Sequence, residues 1–193
     1  MLSALAASLA LVALDTPPLL SSPVFSLSTL GADGQTTMNI LTYATPVGIK
    51  PHRLWAISLF RETQSHANWQ SRGTGVLQQL SAEHGPLMHT LGGTSSAKAD
   101  VDKAAACEAL GWEWFESEEC GAERLLPGCV TYSRLVQQGE LIDAGNHEVA
   151  ICRLERVFGP GEAEGQATAG LNTAELREAG LITAAGRAVE PAS

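Results

Sequence analysis

The stretch VFSLSTLGADGQTTMNILT, residues 24–42, decides the fold of this chain. Residues 24–29 alternate apolar and small polar side chains, a pattern typical of a strand with one buried face. Asp33-Gly34 can reverse the chain, because glycine accepts the positive φ that a tight hairpin requires. A second strand is expected over residues 36–42. The stretch therefore predicts an antiparallel hairpin.

Downstream of the hairpin, the pattern predicts further strands and short helices. The apolar run LWAISLF at residues 54–60 indicates a strand buried on both faces, and Thr63 can cap a short helix through Trp69. Residues 117–128 are acidic and irregular and are expected to form an exposed loop. Further strands are expected at residues 75–80, 129–136, 140–142 and 147–158, and further helices at 81–91, 101–110 and 172–179. Together these elements predict a mainly-β or α+β domain, an antiparallel barrel of about six strands with peripheral helices.

The two ends of the chain are expected to lie outside this barrel. Leucines at helical spacing in residues 1–20 predict an amphipathic helix that ends at Pro17-Pro18, and the alternative is the remnant of a targeting peptide. We expect residues 1–22 to form an N-terminal helical segment and residues 23–158 the barrel domain. Residues 159–193 are then a mobile linker, a short helix and a flexible tail.

Composition excludes several classes of function. The 193 residues carry a net charge of −9, and such a chain is a poor nucleic-acid binder because that affinity comes from clustered Lys and Arg. No apolar run reaches the roughly 18 residues of a membrane helix. The four cysteines form no Cys-x-x-Cys pair and the five histidines are scattered, so no metal site is predicted. Motifs for dinucleotides, phosphate loops and serine hydrolases are missing from the sequence.

Hydroxyl and amide side chains crowd two places in the first half of the chain. They are Thr36, Thr37, Asn39, Thr42, Tyr43 and Thr45 on and after the second strand, and Ser58, Arg61, Thr63, Ser65, His66 and Asn68 around the start of the first helix. A helix N-terminus attracts an anion through its free N–H groups, and Arg61 can add a charge-assisted hydrogen bond. The pattern therefore favours a phosphate-binding corner. The alternative is that threonines simply suit strands and helix caps.

Four motifs in this order resemble the flavin reductase-like proteins with the FMN-binding split-barrel fold. They are SPVFSLSTLGADGQTTMNILTYATPVGIKP from residue 22, RLWAISLFRETQSHANW from residue 53, LGGTSSAKADVDK from residue 91 and DAGNHEVAICRLERV from residue 143. The tail LNTAELREAGLI from residue 171 is similar to the end of plant and algal members. The resemblance covers residues 23–158 and implies that the antiparallel barrel is a split barrel.

The resemblance also implies a cofactor and a site. FMN, possibly FAD, would be held by the protein and would receive a hydride from NAD(P)H as co-substrate. The residues implied for the flavin ring are Asn39, Thr42, Tyr43, Ala44 and Thr45. Those implied for the phosphate are Ser58, Arg61, Thr63, Ser65 and His66, and those implied to flank the ribityl phosphate or the dimer partner are Ser95, Ser96 and Lys103. His147 is the implied catalytic residue, beside the ring or the nicotinamide. Ser96 and Asn146 depart from the family pattern, which often has Gly and Asp there.

A second function stays open at this point, a non-catalytic split-barrel protein that binds flavin or haem as an electron carrier or sensor. His147 or His66 would then be the haem ligand. The resemblance further implies a homodimer, with the N-terminal helix and the Trp112/Trp114 face as contacts. It suggests a chloroplast or cytoplasmic location, with neither a nucleic-acid partner nor a membrane span.

Overall fold

The computed structural model describes residues 18–94, 101–159 and 169–190, together with Ala13 and Asp15. The strands in these residues are β1 Phe25–Leu30, β2 Thr36–Leu41, β3 Ala44–Gly48, β4 Leu54–Phe60, β5 Thr74–Gln79, β6 Thr131–Gln137, β7 Ile142–Ala144 and β8 His147–Phe158. The α-helices are α1 Gln64–Arg72, α2 Lys103–Ala109 and α3 Thr173–Glu178. A 3₁₀ turn at Ala82–Leu87 and a π turn at His89–Gly93 follow β5.

All the strands join one antiparallel sheet, in the order β2-β1-β5-β6-β8-β4-β3, with β7 paired to β8. The sheet curls into a half-barrel, which confirms the predicted mainly-β, antiparallel split barrel with peripheral helices. The predicted hairpin is present, with Phe25 opposite Leu41 and Leu30 opposite Thr36. The long strand β8 pairs with β6, β4 and β7, because twelve residues give it room for partners on both edges.

The structure has eight strands rather than about six, and β3 is the strand that no sequence pattern predicted. β3 was missed because Pro46 and Gly48 interrupt its pattern; the strand tolerates Pro46 because it lies at the edge of the sheet. β7 begins two residues later than predicted, since Ala144 pairs directly with His147 and only Gly145-Asn146 remain as the turn.

Apolar side chains on the inside of the curled sheet form one of two core clusters. Leu27, Ile57, Leu77 and Leu135 are fully buried there, and Trp69 of α1 joins them at 0% exposure. In β4 the predicted burial on both faces is wrong, because only Ile57 and Leu59 are fully buried and Phe60 is exposed. One face of an antiparallel strand commonly stays half-solvated.

Two further expectations about local structure are corrected. Residues 81–91 do not form one α-helix, since Pro86 has no N–H to donate and the segment divides into the 3₁₀ and π turns. Residues 117–128 are not simply an exposed loop, because Cys120, Leu125 and Leu126 belong to the second core cluster. Glu123 is only 3% exposed, and its Oε2 lies 2.6 Å from Nη1 of Arg134. This carboxylate is therefore buried in an ion pair rather than exposed to solvent.

The described part of the C-terminal region packs on the barrel. α3 begins as predicted at Asn172, whose side chain caps the helix in a capping box with Glu175. The Leu171 carbonyl accepts from the Val24 N–H and the Leu171 N–H donates to the Leu80 carbonyl, and Ile182 belongs to the second core cluster. Residues 171–182 are therefore held to the barrel by backbone hydrogen bonds and apolar contacts, and the flexible tail expected after the helix stays a prediction. Most of the helix expected in residues 1–20, and residues 160–168 of the linker expected at 159–170, lie outside the described residues.

His84 joins the 3₁₀ turn to the chain before β6. Its Nδ1 accepts from the Ser81 N–H at 3.0 Å, and its Nε2 donates to the Pro127 carbonyl at 2.8 Å. The ring also packs on Trp112, with centroids 4.5 Å apart. Burial lowers the pKa of His84, because loss of hydration disfavours the charged ring more than its backbone hydrogen bonds favour it.

We expect the free energy of unfolding to fall as the pH drops through about 6.5, the ordinary pKa of histidine. The lowered pKa of folded His84 means that the unfolded chain binds the proton first, so this stability is complete above that pH and lost below it. Urea unfolding from about pH 5 to about pH 8 measures the slope. The variant His84→Asn, which cannot ionise, should flatten it; an unchanged slope would contradict the assignment.

Candidate functional site

A cleft of about 220 Å³ opens between β2, the end of β4, the start of α1 and the π turn. It brings together eight of the residues that the sequence predicted for the site: Asn39, Thr42, Tyr43, Ser58, Thr63, Ser65, Lys103 and His147. These residues come from five separate segments of the chain. The curl of the sheet and the packing of α1 and α2 therefore assemble the cleft, and no single motif contains it.

Two neighbouring clefts share lining residues with this first one. A cleft of about 380 Å³ shares Thr42, Tyr43 and Ser58 and adds Ala44 and Thr45, the remaining residues expected around a ring. A cleft of about 580 Å³ shares Lys103 and Gln64 and continues along α1. Ligand pockets commonly measure roughly 300–1,000 Å³. The three clefts adjoin one another through these shared residues, and we refer to them together as the trough.

The start of α1 supplies hydrogen-bond donors to the first cleft. Thr63 is the N-cap, as predicted, and its Oγ1 accepts from the His66 N–H at 3.2 Å. Gln64 and Ser65 line the cleft at the first two helical positions, where backbone N–H groups have no partner within the helix. This end of α1 can therefore donate to an anionic or carbonyl group in the cleft.

Asn39 offers an unused acceptor in the first cleft. Its Oδ1 is buried and has no hydrogen-bond partner among the described residues. A buried polar atom without a partner costs about 1–3 kcal/mol, so such an atom in a cleft suits a ligand that brings an N–H or O–H. The tricyclic flavin ring carries such a donor and several acceptors, and the groups lining the trough fit it.

Lys103 places a positive charge beneath the cleft. The side chain is 6% exposed, and Nζ donates to the carbonyls of Met38 at 3.0 Å and Leu91 at 2.7 Å. None of the carboxylates in the described ranges lies within 4 Å of this nitrogen. Burial lowers the pKa of Lys103 to about 8, so the ammonium form still predominates at neutral pH. An anion in the trough would compensate this charge.

Arg61 and His66, both predicted to bind phosphate, do not line any of the three clefts. Arg61 pairs with Asp143 at 2.8 Å and Glu148 at 3.0 Å, and Nε donates to the Gly145 carbonyl at 3.0 Å. His66 donates from Nε2 to Glu148 at 2.7 Å. Ser95 and Ser96, also predicted for the site, lie outside the described residues.

Glu148 is the residue of this region that sequence reasoning missed. It follows His147 in β8 and stands opposite Leu59 of β4, which brings it beside Arg61. The hydrogen bond from His66, together with the charge of Arg61, lowers the pKa of the Glu148 carboxyl. Its position next to the predicted histidine was the available signal, but its partners depend on the β4–β8 register.

His147 lies at the mouth of the first cleft. Its ring centroid is 5.3 Å from that of Phe60 and 5.8 Å from that of Tyr43, a residue 64% exposed. Nδ1 is 2.7 Å from Oδ1 of Asn146, so the amide at this position orients the imidazole without a charge. The three rings form an aromatic rim against which a planar ligand can stack.

The chain belongs to the flavin reductase-like family: the model of the flavin reductase like domain matches residues 18–177. No functionally curated protein sequence is detectably similar to it.

Solved structures with the same fold include the NADH:FAD oxidoreductase SgcE6 of Streptomyces globisporus C-1027, with 17% identity, a TM-score of 0.60 and alignment over 79% of this chain and 86% of that one. Flavoredoxin from Methanosarcina acetivorans has 12% identity and a TM-score of 0.63, with alignment over 82% of this chain and 80% of that one. A longer protein of Sinorhizobium meliloti 1021 has 18% identity and a TM-score of 0.62. The alignment covers 80% of this chain and 47% of that protein. At these identities the likeness shows the fold alone.

Proposed function

We propose that this protein binds a flavin, FMN in the first instance, in the trough and acts as an NAD(P)H-dependent flavin reductase. The observation that carries the proposal is the cleft itself, where an unpartnered buried acceptor, a helix N-terminus and a buried ammonium converge. Membership of the flavin reductase-like family supports the same function. A bound flavin supplies two-electron chemistry, taking a hydride from the nicotinamide and passing the electrons onward.

The residues of the chain hold and orient the two ligands. Asn39 accepts a hydrogen bond from the ring, and the donors at the start of α1 bind the polar groups of the ligand. Lys103 supplies the positive charge that balances an anionic ligand. Phe60 and His147 form the rim against which the nicotinamide stacks, which excludes water from one side of the reacting rings.

Replacing Asn39 tests the ring contact. The variant Asn39→Leu keeps the size of the side chain but removes the acceptor, and we expect the Kd for FMN to rise about tenfold, the value of one hydrogen bond. Quenching of tryptophan fluorescence during FMN titration measures the Kd. Urea unfolding of the apo-variant is the control for folding. If FMN neither quenches the wild-type fluorescence nor raises its Tm, the proposed function is wrong.

Turnover separates a reductase from a flavin carrier. FMN-dependent oxidation of NADH or NADPH would support the enzyme, whereas tight flavin binding without turnover would support the carrier. The haem alternative predicts a Soret band on titration that is lost in His147→Ala. Because His66 is 5% exposed and bonded to Glu148, His147 is the more accessible of the two histidines.

We also propose that the protein acts as a homodimer. The Trp112/Trp114 face is not its contact surface, because Trp114 is only 4% exposed within the protein's own core and Trp112 packs on His84. The edge strand β3 is a better contact: Val47 and Ile49, within and just after it, are 53% and 80% exposed. Sedimentation of the flavin-bound protein tests this.

None of the described helices is long and apolar enough to cross a membrane. A chloroplast or cytoplasmic location stays a prediction.

A further inference from the structure

The hairpin that carries His147 has few contacts of its own. β7 has three residues, all exposed, and pairs with β8 alone among the described strands. Its turn consists of Gly145 and Asn146. A short exposed hairpin of this kind is expected to open easily unless other groups tie it down. Side-chain contacts therefore decide how firmly His147 is held at the cleft.

Arg61 ties this hairpin to the end of β4. Its guanidinium binds Asp143, Gly145 and Glu148 at 2.8, 3.0 and 3.0 Å, and its backbone N–H donates to the Asn146 carbonyl at 3.1 Å. All four partners lie within the hairpin that surrounds His147. All three nitrogens of the guanidinium are therefore engaged by this hairpin, and its position outside the trough follows from these contacts.

Glu148 extends the tie from the hairpin to α1. Its side chain is 14% exposed and accepts from Arg61 at 3.0 Å, from His66 at 2.7 Å and from Gln70 at 3.2 Å. His66 and Gln70 are one turn apart on α1 and present their side chains to the same carboxylate. One carboxylate thus joins β8, the end of β4 and the helix whose first turn lines the cleft.

We propose that Glu148 is a positioning residue, which fixes His147 at the mouth of the cleft relative to the start of α1. Neighbouring residues of a strand point to opposite faces, so Glu148 can hold β8 from one side while His147 faces the cleft. Glu148 lines none of the three clefts, and it acts through the geometry of His147. The kinetic part of this inference rests on the proposed function, whereas its structural part does not.

Hydrogen exchange tests the structural part without any ligand. In Glu148→Gln, which loses the charge but keeps the shape, we expect the amides of residues 142–149 to exchange about fivefold faster. The matched control is Glu155→Gln, which breaks the exposed pair with Arg153 near the other end of β8 and should leave this hairpin unchanged. Unchanged exchange in Glu148→Gln, or an equal increase in the control, would overturn the proposal.

Kinetics test whether Glu148 acts through His147. We expect Glu148→Gln to raise the KM for NAD(P)H about fivefold with kcat within twofold, a size typical of coupling between neighbouring residues. In a His147→Asn background the same change should have no further effect. Effects that multiply in the double variant would refute action through His147. If the wild-type protein shows no flavin-dependent turnover, the proposed function fails, and the exchange experiment still decides the positioning role.

Discussion

Replacing Trp69 with alanine should cost about 3–5 kcal/mol of the free energy of unfolding, the range for removing a buried aromatic side chain. Trp69 is the largest fully buried side chain and fixes α1 against the curled sheet. Its Nε1 donates to Oε1 of Gln137 at 2.7 Å, so the variant also leaves this oxygen without its hydrogen-bond donor. A domain of this size has roughly 5–15 kcal/mol in total, so a large share of its stability would be lost. Urea unfolding monitored by circular dichroism measures the change.

The matched control is an apolar side chain on the surface. Leu20 is 71% exposed, and Leu20→Ala should stay within about 0.5 kcal/mol of the wild type. A loss below about 1 kcal/mol for Trp69→Ala would show that the space under α1 collapses without cost, contrary to the usual penalty for a cavity. The position of the helix at the cleft would then depend on its cap and side-chain contacts.

Replacing Lys103 with methionine should weaken FMN binding roughly 10- to 100-fold, the value of a hydrogen bond to a charged group. Methionine keeps the stem that packs beneath the cleft but removes the buried charge. Titration of tryptophan fluorescence with FMN and with riboflavin measures both affinities. If the variant loses affinity for FMN alone, Lys103 lies at the phosphate. If it loses affinity for both ligands, Lys103 lies at the ring. Equal affinity of wild type and variant for both ligands would contradict the role assigned to Lys103.

The prediction for Lys103→Met has a control variant and a pH dependence. Lys50→Met removes an exposed lysine that follows β3, and it should leave the Kd unchanged. Because the pKa of Lys103 is lowered to about 8, the wild-type affinity should stay level below that pH and fall above it as the ammonium loses its proton. In Lys103→Met the fall should disappear.

Local patterns predicted several elements well. The hairpin of β1 and β2, the apolar strand β4, the long strand β8 and the caps at Thr63 and Asn172 all follow from side chains within a few residues of one another. β3 escaped prediction because its pattern contains Pro46 and Gly48, and its pairing with β4 depends on a partner rather than on its own residues. The burial of Leu125 and Leu126 was not predicted either, since the acidic residues before them indicated an exposed loop.

The site shows the same division. Asn39, Ser58, Thr63 and His147, which the resemblance implied for the site, line one cleft in the structure. The resemblance did not foresee that Arg61 would face away from the trough. That outcome depends on Glu148, 87 residues further along the chain by its number, and on the β4–β8 register that sets the two side by side.

By itself, then, the amino-acid order determined most of the strands, the caps of α1 and α3 and the family that the motifs resemble, since these depend on short-range alternation, capping and turn chemistry. Only the tertiary structure decided which of the basic side chains line the trough. Lys103 is buried beneath the cleft by the packing of α2, whereas Arg61 and His66 are bound by a carboxylate from a distant strand. The physical reason is that charge pairing depends on distances of a few ångströms, which sheet register and helix packing set.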